Sequence, residues 1–156
     1  RLEISKDSTL GTYGTSALAL VLLVEIAALA ALDPTTGLKS LVSAYAIGRG
    51  ASVCVMAFSR KTVREGLGAD YITELSVLRC AVGVFAAIFL VIALNGTQAA
   101  VLLVFALPPA VLMWAWSHRS IGGVVGDSLG AITQLSQTSV LLGAVTLNSG
   151  VCACSW

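Results

Sequence analysis

The chain carries little charge for its length. Of its 156 residues, 11% are charged and 57% are hydrophobic, and the mean hydropathy is +0.93. A soluble domain usually carries about twice that charged fraction. The scarcity of charge argues against a soluble globule and predicts a membrane protein. The net charge of +1 gives no general attraction for nucleic acid.

Residues that mark common catalytic or metal-binding motifs are scarce as well. There is one histidine, and Cys152 and Cys154 stand too close together for the usual zinc pattern. The sequence contains no P-loop, no dinucleotide fingerprint, no nucleophile beside a base and no carboxylates paired for two metal ions. These absences argue against thiolate metal binding and against the common nucleotide-binding folds.

Long apolar runs take up most of the chain instead. A membrane-spanning helix needs about 20 mostly apolar residues. Five candidate runs occur at residues 15–32, 40–58, 80–94, 98–116 and 129–147, the last being richer in polar residues. They predict an all-α, polytopic transmembrane helix bundle of about five spans, forming a single domain over residues 1–156.

Basic residues are distributed unevenly between the two sides of such a bundle. Five spans place the N-terminal segment and the second and fourth connections on one side. Seven basic residues lie there, Arg1, Lys6, Arg60, Lys61, Arg64, Arg79 and Arg119, against Lys39 alone on the other side. The positive-inside rule predicts that the basic side faces the cytoplasm.

Three polar segments converge on the basic side. They are residues 6–14, the charged loop 60–70 and the glycine-rich stretch 117–127. Arginine forks match phosphate oxygens, glycines let backbone amides approach an anion, and carboxylates hold Mg²⁺. The convergence predicts a site for a phosphorylated ligand. Its predicted contacts are Arg49, Arg60, Arg64, Arg119, Gly122, Gly123 and Gly126, with Asp7 and Asp127 as ligands of Mg²⁺.

These residues also have ordinary structural explanations. Asp7, Ser8 and Asp127 are residue types that cap helix N-termini, and Lys6 suits a membrane boundary. Glycines near membrane helices also serve close helix packing. The basic residues at 60–64 orient a membrane protein without binding any ligand. The residues alone leave these alternatives open.

Two charges lie inside predicted spans, Glu25 in the first and Arg49 in the second. A charge at that depth is costly unless it faces a polar interior. The two side chains are therefore candidates for a buried ion pair, and the alternative for Arg49 is an anion contact in a cavity. His118 follows Trp114 and Trp116, so it is either an interfacial residue or a general acid or base.

An ordered set of motifs resembles one enzyme family. The set consists of LEISKDSTLGTYG at residues 2–14, Gly48-Arg49 within a span, and IGGxxGDxxGA at residues 121–131. In this order and spacing the motifs are similar to the cobalamin synthase family, the adenosylcobinamide-GDP ribazoletransferases. The likeness covers most of the chain.

The resemblance implies a polytopic enzyme of the cytoplasmic (inner) membrane that requires Mg²⁺. Such enzymes join adenosylcobinamide-GDP to α-ribazole, or to its 5′-phosphate, and give adenosylcobalamin, or its 5′-phosphate, and GMP. On this basis Lys6, Asp7, Ser8 and Asp127 belong to the catalytic face. The resemblance also implies an Asp-rich metal motif and further helices upstream of Lys6, and neither is in this chain.

The chain begins with Arg1 rather than Met, and we expect it to be the C-terminal part of a larger enzyme, inactive when alone. The expected partners are the two small-molecule substrates, the lipid bilayer, and either a missing N-terminal part or a second copy. One rival is a small transporter or channel-like bundle with Glu25 and Arg49 along a solute path. The other rival is a non-catalytic assembly subunit. A transporter would show internal repeats, and none is found in the sequence.

Overall fold

The computed structural model describes residues 11–59, 76–121 and 123–153, and these residues form helices without any strand. The elements are α1 (Thr12–Ala30), α2 (Pro34–Phe58), α3 (Val77–Asn95), a 3₁₀ turn (Gly96–Gln98), α4 (Ala99–Ile121) and α5 (Gly126–Ala153). The all-α prediction is confirmed, and each helix contains most of one predicted span.

Three helical stretches in the described part of the chain are long and apolar enough to cross a membrane. They are Thr12–Ala30, Pro34–Phe58 and Val77–Ser120, the last holding both α3 and α4. Large side chains on their outer faces are exposed, with Phe85 at 71% and Phe89 at 74%, as contact with lipid tails requires. The predicted polytopic bundle is confirmed, although α5 does not belong to these stretches because amide and hydroxyl side chains interrupt its apolar run.

Asp33 and Pro34 set the turn between α1 and α2. The Asp33 carboxylate accepts hydrogen bonds from the Thr35 hydroxyl at 2.5 Å and the Thr36 N–H at 3.0 Å, which caps α2. Pro34 occupies the first helical position, where its missing N–H has no helical partner to lose. The two hydrogen bonds hold the pKa of Asp33 well below its ordinary range because they favour the charged form.

A glycine turn joins α3 and α4 into a hairpin. Gly96 adopts a φ of +55°, which a residue without a Cβ reaches without strain. Just before it, Asn95 Nδ2 donates to Ser43 Oγ on α2 at 2.7 Å and to the Val91 carbonyl at 3.0 Å. The turn is therefore attached to α2 by a partly buried hydrogen bond.

Helix α4 continues through Pro108 and Pro109. Pro109 has no N–H to offer the carbonyl of Phe105 one turn earlier. Ser139 Oγ on α5 donates to that carbonyl at 2.7 Å and satisfies it. A neighbouring hydroxyl is one of the usual ways in which a membrane helix tolerates proline.

Helix α5 packs closely against α2 and α4 in the centre of the bundle. A Cβ at Gly48 of α2 would lie 2.8 Å from the Thr133 carbonyl of α5, so only glycine allows this approach. Leu102, Ile132 and Leu141 are fully buried between the helices. Because α2 and α5 contact each other through these faces, only their remaining faces are available to other helices, lipid or a ligand.

The helices alternate in direction along the bundle. Trp114 Nε1 donates to Ser59 Oγ at 3.1 Å, so α2 and α4 finish side by side, and Ser117 meets Ser128 where α4 finishes and α5 begins. Helices α1, α3 and α5 therefore begin, and α2 and α4 end, at one end of the bundle, which we call the motif end. Of the described Asp, Glu, Lys, Arg and His residues, Arg79, His118, Arg119 and Asp127 lie there, and Asp33 and Lys39 lie at the opposite end.

Candidate functional site

Among the described residues, the motif end includes the last turn of α4, the first turn of α5 and residues 123–125 of the connection between them. The sequence predicted that the whole stretch 117–127 is a connection, and this is wrong, because α4 extends to Ile121 and α5 starts at Gly126. The apolar run stops at Trp116, but the helix continues since His118 and Arg119 interact favourably with its C-terminal dipole.

Asp127 lies in the first turn of α5 with its side chain exposed. The helix begins at Gly126, so the capping position falls on Val125 and not on Asp127. Within the part of the chain that the structure describes, no hydrogen bond or ion pair engages the Asp127 carboxylate. Helix capping therefore does not account for this aspartate, and its two oxygens are available to a ligand.

The glycines of the motif end differ in their surroundings. A Cβ at Gly126 or Gly130 would meet no atom within 4 Å, so neither glycine serves helix packing. Gly123 is buried in the connection. A glycine backbone, which carries no Cβ, is of the kind that lets an anion approach closely.

Basic groups lie next to this turn on α4. Arg119 is exposed in the last helical turn. The His118 ring meets Trp114 edge to face, with 5.2 Å between the ring centroids. Such an aromatic pair is common at a membrane interface. Among the described residues of α4, Arg119 is the arginine or lysine at the motif end.

The candidate ion pair between Glu25 and Arg49 does not form. Glu25 is buried, and its Oε1 accepts hydrogen bonds from Gln134 Nε2 at 2.9 Å, Gln137 Nε2 at 3.1 Å and Thr138 Oγ1 at 2.7 Å, all on α5. Arg49 does not reach it because Gly48 faces α5, and the next residue of a helix points about 100° away. The charge inside the first span is therefore accommodated by neutral donors.

Arg49 is exposed on α2 and lies nine residues before Phe58. At about 1.5 Å of rise per residue, that is roughly 14 Å along the helix from the motif end. The described structure does not bring Arg49 next to Asp127, and its contact with a ligand stays a prediction.

Six of the predicted site residues fall outside the described ranges. They are Lys6, Asp7, Ser8, Arg60, Arg64 and Gly122. The residues that flank their segments, Gly11 before α1 and Ser59 and Ser76 around the charged loop, lie at the motif end.

A cleft with a volume of about 640 Å³ lies between α2, α3 and α4. Its lining is almost wholly apolar, and neither Glu25 nor Arg49 contributes to it. The two intramembrane charges thus do not line this space, which weakens the case for a transporter path.

A profile of the cobalamin-5-phosphate synthase family matches residues 1–145. The chain belongs to this family. Three relatives are adenosylcobinamide-GDP ribazoletransferases: the Clostridium acetobutylicum protein is 31% identical over 144 residues, the Escherichia coli protein 35% over 144 and the Klebsiella pneumoniae protein 36% over 146. Each alignment covers 90% of the chain but only 56–58% of the relative. No solved structure matches the chain.

Of the described residues at the motif end of this family member, Asp127 is the carboxylate, the ligand type that Mg²⁺ prefers. Among the residues described, no three His, Cys, Asp or Glu side chains cluster as a metal cage. Mg²⁺ is usually held by one or two carboxylates together with substrate phosphates, and it prefers oxygen ligands. The exposed, unpaired Asp127 suits such a shared site, in which the substrate supplies further ligands.

Sequence reasoning missed two polar networks of this family member. One is the set of α5 donors around Glu25, and the other joins Ser117 to Ser128 and Gly123. The first had a readable signal, since Gln134, Gln137 and Thr138 lie three and four residues apart, on one helical face, in an otherwise apolar run. The second had none, because serine near a helix end is ordinary.

Proposed function

We propose that the protein containing this chain is an adenosylcobinamide-GDP ribazoletransferase and that the motif end is part of its catalytic face. The proposal is supported by identities of 31–36% to three relatives with that name. It is further supported by the exposed and unpaired carboxylate of Asp127 inside the glycine-rich motif. The whole activity is proposed because the chain spans little more than half of those relatives.

The proposed reaction is a displacement at phosphorus. A ribose hydroxyl oxygen of α-ribazole other than the 5′ oxygen, or the same hydroxyl of its 5′-phosphate, attacks the phosphorus of the GDP bridge that carries the cobinamide. A new P–O bond forms there while the bond from that phosphorus to the bridging oxygen breaks. GMP leaves with its own phosphate, and the proton of an attacking hydroxyl passes to a base or to solvent.

Few groups of the chain are needed for such a step, because phosphoryl transfer depends mainly on positioning and charge neutralisation. Asp127 would hold Mg²⁺ together with Asp7. When bound, Mg²⁺ would neutralise charge on the phosphates. Arg119 and the backbone near Gly126 would contact phosphate oxygens, and Lys6, Ser8, Arg60, Arg64, Gly122 and Gly123 are further proposed contacts.

The motif end would face the cytoplasm from the inner membrane. Support comes from the seven basic residues on that side of the sequence against Lys39 on the other. A cytoplasmic orientation would give the site direct access to nucleotide-bearing substrates.

Asp127→Asn and Asp33→Asn form a matched pair for testing this proposal. Both aspartates are exposed and lie at the start of a helix, but at opposite ends of the bundle. The chain is fused to the part of the Escherichia coli relative that it does not cover and is expressed in a strain without its own ribazoletransferase. Formation of GMP and of the joined corrinoid is measured in isolated membranes.

We expect Asp127→Asn to lower turnover by about 100-fold or more while membrane insertion is unchanged. Asp33→Asn keeps a capping oxygen and is expected to retain full turnover. Equal turnover of the Asp127 variant and the parent fusion contradicts a catalytic role for this carboxylate. Absence of product from the parent fusion, when it is inserted and folded, contradicts the proposed activity.

A further inference from the structure

Two buried serines hold the connection between α4 and α5 from the interior of the bundle. Ser117 is fully buried on α4, and Ser128 on α5 is 5% exposed. Ser117 Oγ lies 2.6 Å from the carbonyl oxygen of Gly123 and 3.0 Å from Ser128 Oγ. The three groups bridge the end of one helix, the connection and the start of the next helix.

The direction of both hydrogen bonds follows from counting protons. A carbonyl oxygen only accepts, so Ser117 donates its single hydroxyl proton to Gly123. Ser117 then has no proton left for Ser128, and Ser128 must donate to it. The chain runs from the Ser128 hydroxyl to the Ser117 hydroxyl to the Gly123 carbonyl.

Two more contacts hold the same connection. The Val124 side chain is 1% exposed and packs in a cluster with Val55, Ala110, Leu129 and Ile132. The Leu129 N–H donates to the Val125 carbonyl at 3.2 Å, which starts the hydrogen bonding of α5. Gly126 and Asp127 are thus presented on the outer side of a turn whose inner side is fixed.

We propose that Ser117 is a positioning residue that sets the place of the Gly126-Asp127 turn through the Gly123 carbonyl and Ser128. This inference rests on the proposed function, in which Asp127 holds Mg²⁺ and the backbone near Gly126 contacts phosphate. Asp127 makes no hydrogen bond of its own to the described residues. Its location is therefore determined by the backbone that carries it, and the backbone is held by the serine chain.

The direction of the chain predicts unequal effects of removing each hydroxyl. Ser117→Ala deprives the buried Gly123 carbonyl of its donor and the Ser128 hydroxyl of its acceptor. Ser128→Ala leaves the bond from Ser117 to Gly123 in place. The double variant should do no more harm than Ser117→Ala alone, because the second hydroxyl acts through the first.

The test uses the same fusion protein in membranes and compares these variants with Ser136→Ala. Ser136 is as fully buried as Ser117 but donates to Ala106 in the middle of the bundle, at 3.4 Å. We expect Ser117→Ala to raise the Mg²⁺ concentration for half-maximal turnover by about 10- to 100-fold, as loss of outer-shell partners does at metal sites. The KM for α-ribazole should change little, and Ser136→Ala should leave the Mg²⁺ dependence unchanged.

A second readout does not depend on activity. Amide hydrogen exchange over residues 123–130 should accelerate in Ser117→Ala and stay at the parent rate in Ser136→Ala. The proposal is overturned by parental Mg²⁺ dependence in Ser117→Ala, by equal changes in both variants, or by a larger effect of Ser128→Ala than of Ser117→Ala. Failure of the parent fusion to make product overturns the proposed function instead, and the exchange rates still decide whether Ser117 holds the turn.

Discussion

Replacing Glu25 with leucine should loosen α1 from the bundle. Glu25 and Ala28 are the buried residues of α1, so the helix is attached mainly through this face. The substitution removes the Oε1 atom that accepts three hydrogen bonds from α5. Glu25→Gln keeps an oxygen at that position and is the matched control.

The expected loss of free energy is about 2 kcal/mol, since hydrogen bonds between membrane helices average about 0.6 kcal/mol each. A full loss of three strong bonds would approach roughly 5 kcal/mol. The lower figure is preferred because two donors have a second acceptor. Gln137 Nε2 also donates to Gln134 Oε1 at 3.1 Å, and Thr138 Oγ1 also lies 2.9 Å from the Gln134 carbonyl.

Thiol accessibility at position 28 measures the attachment. Ala28 is 5% exposed, so a thiol introduced by Ala28→Cys, in a background with the native cysteines replaced by alanine, is protected while α1 is docked. A loss of about 2 kcal/mol raises the undocked population, and hence the rate of reaction with a membrane-permeant maleimide, roughly 30-fold. Equal rates for Glu25→Leu and Glu25→Gln would refute the reasoning.

Two further outcomes are expected. Ser139→Ala should lower the free energy of unfolding in detergent by roughly 1 kcal/mol, because the Phe105 carbonyl one turn before Pro109 loses its donor. The control Ser149→Ala removes an exposed hydroxyl that is bonded within its own helix, and it should leave the free energy of unfolding unchanged. The pKa of Asp33 in the folded protein is lowered from its ordinary value of 3.8, so the stabilising contribution of Asp33 is present above that value and is lost as the pH falls below it. The stability of the parent protein should therefore decrease on acidification more than that of Asp33→Asn. Parallel pH profiles of stability for the two proteins would contradict this.

The helices could be predicted because their apolar runs are long. Runs at 80–94 and 98–116 correspond to α3 and α4, and Asn95-Gly96 between them marks the turn. The ends were harder, as α4 shows, since it extends through Ser117 and His118 to Ile121. The apolar run ends at the first polar residue, whereas the hydrogen bonding of the helix continues until the backbone leaves the helical conformation.

Pairing inside the bundle could not be predicted from charge alone. Glu25 and Arg49 are opposite in sign and occupy neighbouring spans, so an ion pair was one of two interpretations of the sequence, the other being an anion contact of Arg49 in a cavity. The rotation of α2 about its own axis decides the pairing. Because Gly48 lies in close contact with α5, the Gly48 face of α2 faces α5 and Arg49 lies on a different face. Which residues share a helix interface depends on such contacts between distant parts of the chain.

The two aspartates at helix starts show how position separates structural from functional carboxylates. Both occur in sequences that suit an N-cap, Asp33 before Pro34 and Asp127 after Gly126. Asp33 occupies the capping position itself, and two donors engage its carboxylate. Asp127 lies two residues further into the helix than the capping position, and its exposed carboxylate has no partner among the described residues. A carboxylate that contributes no cap, in a turn held by buried serines, has the properties expected of a ligand-binding residue.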